Sequence, residues 1–109
     1  MKHFDFGGTY YEMVKYLKDK IAFQLDVNPK HIEIAYIEGD GIELWDEEND
    51  IITARKVSWR TFYWNDDKNE MEYGEYKDCA WLTFDSGERE GDDEVHLDYD
   101  KFMDNWEQN

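Results

Sequence analysis

Cysteine and proline are scarce in this chain, with one of each among 109 residues. A single cysteine cannot form an internal disulfide, and Cys79 lies in the apolar stretch 79–82, where a buried, reduced thiol is favoured. We therefore expect a reducing, cytoplasmic setting.

Long apolar runs are also missing. No window approaches the roughly 18 consecutive apolar residues of a membrane-spanning helix, and residues 1–8 contain no apolar run of signal-peptide length. We therefore expect neither membrane insertion nor secretion.

Basic residues are few: 12 Lys and Arg stand against 28 Asp and Glu, which gives a formal net charge of -16. The excess develops along the chain, because residues 1–30 carry five basic and four acidic side chains, whereas residues 61–109 carry four and sixteen. Such a charge repels nucleic acid and anionic membranes and attracts basic protein surfaces. It therefore indicates a class of partner and not a reaction.

Aromatic residues are abundant, with five Trp, eight Tyr and six Phe interleaved with the acids. This content is far too high for a solvated acidic polymer, so the carboxylates are expected to lie on the surface of a folded protein. The length fits one domain, residues 1–109. Residues 85–94 contain no apolar side chain and seven charged ones, and they are expected to form a mobile acidic loop.

Two helices are predicted, one at each end of the chain. Thr9 and Glu12 form a capping box, the apolar residues that follow recur at helical spacing up to Leu25, and Asn28-Pro29 then ends the helix. A second helix is expected after Asp98, an N-cap residue, with an apolar face of Tyr99, Phe102, Met103 and Trp106.

Between the helices the pattern predicts strands. Residues 31–38 and 42–45 alternate in polarity around Gly39-Asp40-Gly41 and predict a hairpin. Residues 51–64 predict a long strand. Residues 70–76 and 79–84 predict a returning strand that is interrupted near Gly74 or at Lys77-Asp78. The predicted class is α+β: an N-terminal helix, a four- or five-stranded mainly antiparallel sheet and a C-terminal helix, with both helices on one face of the sheet.

Motifs for catalysis and for metal or cofactor binding are weak. Glu75-Tyr76-Lys77 downstream of Asp66 and Asp67 superficially follows a metal-dependent nuclease pattern, but so acidic a sequence produces that triplet by chance. The three histidines have no metal-ligand spacing, and an apolar environment disfavours the thiolate of Cys79. We therefore expect no enzyme activity, no metal and no cofactor.

The acidic, aromatic surface remains as the candidate site. Residues two apart on a strand point the same way about 6.6 to 6.8 Å apart, so that their carboxylates loosely match the phosphates along a nucleic-acid strand. Neighbouring aromatic rings would supply interface anchors. The candidate anchors are Trp45, Trp59, Trp64, Tyr73 and Tyr76. The predicted partner-binding residues are Glu43, Trp45, Asp46, Glu47, Glu48, Asp50, Asp66, Asp67, Glu70, Glu72, Tyr73, Glu75, Glu88, Glu90, Asp92, Asp93 and Glu94.

In charge and size the chain is similar to small acidic proteins of phages and mobile elements that occupy the nucleic-acid site of restriction, CRISPR or repair enzymes, although no residue motif carries the similarity. We therefore expect a non-enzymatic DNA mimic that binds a basic nuclease or nucleic-acid-binding protein. We expect it to be a monomer or homodimer and to contact neither nucleic acid nor membrane. For a phage-encoded protein, the cytoplasm in which it acts is that of the host cell. An immunity protein or antitoxin that neutralises one basic toxin is the alternative. An acidic globule without a charged partner and a small metal-dependent enzyme are further alternatives.

Overall fold

The computed structural model describes residues 10–38, 42–45, 51–84 and 93–107, and at 42–45, 51–52, 83–84, 93 and 106–107 it describes the backbone alone. The elements, in chain order, are helix α1 (Tyr10–Leu25), a 3-10 turn (Pro29–His31), strands β1 (Ile32–Ile37), β2 (Ile42–Trp45), β3 (Ile51–Asn65), β4 (Glu70–Tyr73), β5 (Lys77–Phe84) and β6 (Asp93–His96), and helix α2 (Tyr99–Glu107). The predicted α+β class, with a helix at each end and an antiparallel sheet between them, is confirmed.

The structure describes only the last two residues of the predicted acidic loop, 85–94. Residues 85–92 lie outside the described residues, whereas Asp93 and Glu94 belong to β6 and not to a loop.

In the part of the chain that the structure describes, neither helix combines the length and apolar character needed to cross a bilayer.

Helix α1 occupies the predicted residues and buries one stripe of its surface. Leu17 and Ile21, four positions apart on one helical face, are buried, and Ala22 next to Ile21 is buried as well. Phe23 lies off this stripe and is 85% exposed.

The end of α1 is a hydrogen-bonded C-cap. The N–H of Val27 donates to the carbonyl of Ala22 over 3.0 Å, and the N–H of Asp26 donates to the carbonyl of Phe23 over 3.3 Å. Asp26 takes the left-handed φ of 57° that this Schellman arrangement needs. The side chain of Asn28 then caps the 3-10 turn, and the helix ends at Leu25, three positions before Asn28, which begins the predicted Asn28-Pro29 stop signal.

Strands β1 and β2 lie end to end along one edge of β3 and do not form the predicted hairpin. β1 pairs with residues 57–61 of β3 and β2 with residues 51–54, both antiparallel. Because both run against β3 and lie beside successive parts of it, the chain keeps its direction between them. Gly39-Asp40-Gly41, which itself lies outside the described residues, was therefore wrongly predicted to reverse the chain.

The long central hairpin is confirmed. β4 pairs with residues 62–65 of β3 and β5 with residues 52–59, so the returning strand is interrupted at 74–76, close to the predicted break. β6 adds to the other edge of β5. The six strand segments thus occupy four positions across the sheet, since β1 and β2 share one position and β4 and β5 share another.

The main core lies on the sheet face that α1 covers. The pairing places Val57 opposite Cys79 and Trp81 opposite Val95, and all four side chains are buried. The buried cluster comprises Leu17, Ile21, Ala22, Ile32, Val57, Trp59, Cys79, Trp81 and Val95. Trp59, expected as an exposed anchor, is only 2% exposed, because the odd-numbered residues of β3 face α1.

Helix α2 begins at its predicted cap. The side chain of Asp98 accepts a hydrogen bond from the N–H of Lys101 over 3.0 Å, and its carbonyl accepts from the N–H of Phe102 over 3.0 Å. This is the N-cap geometry that satisfies an otherwise unpaired donor in the first helical turn.

The contacts of α2 differ from the expectation that both helices share one sheet face. His96 lies opposite Ala80, and Ala80 lies opposite Lys56, so these three residues share the face turned away from α1. Phe102 stacks on His96 with ring centroids 5.0 Å apart, and Lys56 Nζ lies 5.9 Å from the ring centroid of Tyr99. The two helices therefore contact opposite faces of the sheet.

Shortening a core side chain of α1 should destabilise the protein far more than shortening an exposed one. We predict that Leu17→Ala lowers the free energy of unfolding by about 2 to 5 kcal/mol, because it leaves a cavity against the sheet. Phe23→Ala, on the same helix, should change it by less than about 0.5 kcal/mol. Urea unfolding followed by circular dichroism measures both, and equal losses would contradict the described packing.

Candidate partner-binding surface

The end of the β3–β4 hairpin projects beyond the rest of the sheet. β1 pairs with β3 no further than Thr61, and β5 no further than Trp59. Among the described strands, residues 62–65 of β3 therefore pair with β4 alone. We call residues 60–76 the projecting hairpin.

Asn65 shapes the turn at the tip. Its side-chain oxygen accepts hydrogen bonds from the N–H groups of Asp67 and Lys68 over 3.0 and 3.1 Å, which is the local bonding of an Asx turn. Asn69 closes the turn with a left-handed φ of 54°. Asp66 and Asp67 are exposed at this tip.

One face of the hairpin carries carboxylates. Glu70 lies opposite Asn65 and Glu72 opposite Tyr63, and both glutamates are exposed. Glu72 accepts a hydrogen bond from the Asn65 amide over 2.8 Å and lies 3.8 Å from Lys68 Nζ. The ring of Tyr63 stacks on His31 at 4.2 Å, which attaches the base of this face to the end of the 3-10 turn.

The opposite face is aromatic. Trp64 lies opposite Met71 and Phe62 opposite Tyr73, so these four side chains share the face turned away from Glu70 and Glu72. Trp64 and Tyr73 are 52% and 54% exposed, which is high for side chains whose burial is so favourable.

Arg60 holds the base of the aromatic face. Its guanidinium carbon lies 3.9 Å from the ring centroid of Tyr73 and 4.5 Å from that of Tyr76, a cation–π arrangement with both rings. Its Nε donates to the carboxylate of Glu33 on β1, and this hydrogen bond raises the pKa of Arg60. Arg60 therefore links two exposed tyrosines to the sheet and is not itself a free cation for binding.

The predicted partner-binding residues divide into three sets. The projecting hairpin gathers six of them: Asp66, Asp67, Glu70, Glu72, Tyr73 and Glu75. Tyr73 is separated from Glu70 and Glu72, because alternate residues of a strand point to opposite faces. Glu94 is exposed on β6 beside His96, at 3.2 Å, whereas Glu43, Trp45 and Asp93 are described by their backbone alone. Asp46, Glu47, Glu48, Asp50, Glu88, Glu90 and Asp92 lie outside the described residues.

The described residues of the first two sets do not form one continuous patch. β2, and the part of β6 that carries Glu94, lie beside residues 51–54 of β3 and their partners on β5, whereas the hairpin tip lies at the opposite end of β3. Ten residues of extended strand separate Ala54 from Trp64, roughly 33 Å at the usual rise. The projecting hairpin is therefore the one predicted site whose side chains the structure describes together.

Trp64, Met71 and Tyr76 are functional candidates that were not among the predicted partner-binding residues. The sequence predicts Trp64 and Tyr76 only as candidate anchors and assigns no role to Met71. The available signal was the recurrence of large apolar residues two positions apart, Phe62 and Trp64 in the first strand and Met71 and Tyr73 in the second.

The described residues offer binding chemistry and little for catalysis. Asp66 and Asp67 lie at the tip, whereas Glu75 and Lys77 lie at the break, so the nuclease-like set is spread along the hairpin and exposed. Among the described residues, no group of three or more His, Cys, Asp or Glu side chains is placed to hold a metal ion. Burial raises the pKa of Cys79 to about 12, which keeps its thiol protonated and unreactive.

A polar network lies next to the base of the projecting hairpin, on the sheet face that α2 contacts. Ser58 Oγ donates to Asp78 over 2.7 Å, and Lys56 Nζ lies 3.2 Å from the second oxygen of Asp78. The hydrogen bond from Ser58, and then the ammonium group of Lys56, lower the pKa of Asp78, and the same contact raises the pKa of Lys56. This network fixes the start of β5 against β3.

No family model, curated protein or solved structure matches this chain. The projecting hairpin offers exposed carboxylates on one face and exposed aromatic rings on the other. Both are groups that bind protein side chains: carboxylates accept from Arg and Lys, and aromatic rings bury apolar area.

Gly74 permits the close approach of the chain to β3 at the break. A Cβ atom at this position would lie 2.6 Å from Thr61 Oγ1. We predict that Gly74→Ala lowers the free energy of unfolding by about 1 kcal/mol, because overpacking outweighs the entropy gained by replacing glycine. In a Thr61→Ala background, which removes the hydroxyl, the same substitution should be neutral or stabilising. Urea unfolding of the four chains decides this, and an equal loss in both backgrounds contradicts it.

The Asp78 network should produce a defined pH dependence of stability. Because the folded pKa of Asp78 is lowered, its contribution is present above the ordinary pKa of an aspartate, about 4, and is lost as the pH falls through the folded value. We predict that Ser58→Ala destabilises the protein at neutral pH and that the difference from wild type shrinks in acid. Unfolding free energies measured across this range test it. In an Asp78→Asn background, Ser58→Ala should add no pH dependence.

Proposed function

We propose that the protein is a non-enzymatic inhibitor that mimics nucleic acid and occupies the basic nucleic-acid-binding groove of a defence nuclease or DNA-binding complex, of anti-restriction or anti-CRISPR type. The observation that carries this proposal is the projecting hairpin, which presents carboxylates at its tip and along one face. A narrow, two-stranded element of this kind is suited to enter a groove shaped for a nucleic acid.

The charge arrangement supports recognition by a cationic groove. Glu70 and Glu72 share one face of β4, about 6.6 to 6.8 Å apart by strand geometry, and Asp66 and Asp67 extend the negative charge to the tip. Arginine side chains bind phosphates and carboxylates in the same way, because both anions present two oxygen acceptors to the two parallel N–H donors of the guanidinium fork. The net charge of -16 would steer such a partner from a distance.

The aromatic face supports tight binding once the hairpin is in place. Trp64, Tyr73 and Tyr76 are more than half exposed, and Trp and Tyr are the residues that most often dominate interface energies. Electrostatic attraction mainly raises the association rate, whereas buried aromatic contacts mainly slow dissociation.

The same aromatic face favours one alternative, an immunity protein or antitoxin with a single cognate basic toxin. Such a protein would depend on shape-specific contacts of Trp64 and Tyr73 more than on its overall charge. Binding that Trp64→Ala abolishes but that added salt hardly changes would favour this alternative.

A charge-reversal experiment tests the inhibitor proposal. We predict that the wild-type protein inhibits DNA cleavage by at least one member of a panel of restriction and CRISPR nucleases, in competition with the DNA and less strongly as salt increases. Glu70→Lys with Glu72→Lys should weaken this inhibition by about tenfold or more. The matched control is Asp19→Lys with Asp104→Lys, which changes the net charge equally at exposed positions on the two helices and should have a much smaller effect.

The outcomes separate the possibilities. Equal effects of the two double variants would mean that the overall charge matters and the hairpin does not. Inhibition that persists in high salt, or that DNA does not compete away, contradicts the proposal. Reversal of Asp46, Glu47, Glu48 and Asp50, which follow β2 in the sequence, tests whether these residues also contact the partner.

A further inference from the structure

We propose that the outer edge of β4 binds an extended strand of the partner, with Lys or Arg at alternate positions and apolar residues between them, so that the partner strand continues the sheet. This inference rests on the proposed function, since it specifies how the projecting hairpin would engage a cationic protein. It draws on the backbone of β4, which the charge argument does not use.

Along β4, residues whose backbone N–H and C=O groups bond to β3 alternate with residues whose groups point away from β3. The N–H of Gly74 donates to the carbonyl of Thr61 over 2.8 Å, which marks these two residues as a hydrogen-bonded pair. In an antiparallel ladder bonded and non-bonded pairs alternate, so Glu72 bonds to Tyr63 and Glu70 to Asn65. The N–H and C=O groups of Met71 and Tyr73 consequently point away from β3.

This outer edge is open in the described part of the chain. β4 pairs there with β3 alone, and all four of its residues are exposed. β6, the strand that lies beside β5, pairs only with residues 80–83 and does not reach β4. Unpaired edge groups of this kind are the template for strand addition.

The side chains of β4 disfavour a second copy of this protein as the occupant. Antiparallel pairing of two β4 strands through Met71 and Tyr73 places Glu72 opposite Glu72, or Glu70 opposite Glu72, depending on the register. Both arrangements bring like charges face to face. The carboxylates therefore act against self-association and leave the edge for a strand of opposite charge.

The same side chains define the complementary strand. On one face, residues opposite Glu70 and Glu72 lie within reach of a Lys or Arg side chain. On the other face, the neighbours of Met71 and Tyr73 gain by being apolar or aromatic. Because the side-chain period of a strand is two, these requirements alternate along the partner strand.

A synthetic peptide that alternates Lys with Val and Thr is the probe, and the full chain labelled with nitrogen-15 is the receptor. We expect saturable binding that protects the amides of Met71 and Tyr73 from hydrogen exchange, while the amides of Glu70 and Glu72, already bonded to β3, change little. A peptide of the same composition with its lysines contiguous should bind more weakly and give no such alternation. Absence of saturable binding, or protection that does not distinguish the two pairs of amides, overturns the inference.

Met71→Pro removes an outward N–H without removing a bond to β3, and Met71→Thr is the matched control that keeps the N–H. We expect Met71→Pro to weaken binding of the alternating peptide by about fivefold or more relative to Met71→Thr. Equal binding of the two variants overturns strand addition. Because proline could also distort β4, the amide protection measured on the unmodified chain stands as an independent test.

The nuclease assay separates this inference from the proposed function. If Glu70→Lys with Glu72→Lys abolishes inhibition and Met71→Pro leaves it at the Met71→Thr level, the inhibitor proposal stands and strand addition is overturned. If the peptide protects Met71 and Tyr73 but no nuclease in the panel is inhibited, strand addition is supported and the proposed target class is wrong.

Discussion

The antiparallel pairing along β3 is the constraint on which the rest of this structure depends. Four other strand segments hydrogen-bond to this 15-residue strand, two along each edge. Its strict alternation divides the molecule, because odd-numbered residues such as Val57 and Trp59 face α1, whereas even-numbered residues such as Lys56 and Ser58 face the side of α2. A shift of one residue in this register would exchange the core with the polar face.

The same alternation continues beyond the core, where it organises the candidate site. In the projecting hairpin it no longer separates buried from exposed side chains; it separates carboxylates from aromatic rings. Glu70 and Glu72 repel each other and the acids of the tip, and Asn65 and Lys68 offset this only in part, since exposed charge pairs stabilise little. Stability does not explain this concentration of charge and exposed aromatic area, whereas the proposed binding of a cationic, partly apolar partner would explain it.

Local signals were sufficient for several elements. The capping box and the apolar spacing predicted α1, Asp98 predicted the start of α2, and the pattern of β-branched and aromatic residues predicted the β3 hairpin with its break near Gly74. Each of these depends on interactions between residues close in sequence. The predicted hairpin at Gly39-Asp40-Gly41 was wrong because a glycine-rich turn signal does not distinguish a reversal from a gap between two collinear strands, both paired with a third.

Within the candidate site, the sequence by itself determined the charge, the aromatic content and the alternation of Glu70, Met71, Glu72 and Tyr73. Trp59 and Trp64 lie on the same aromatic-rich strand, so only the tertiary structure decided that the first is buried and the second exposed. The difference arises because the core packs against Trp59. The tertiary structure also decided that α2 contacts the face opposite α1 and that none of the other described strands pairs with the outer edge of β4. These properties arise from pairing between segments distant in the chain, and no local pattern of residues encodes which segments become neighbours.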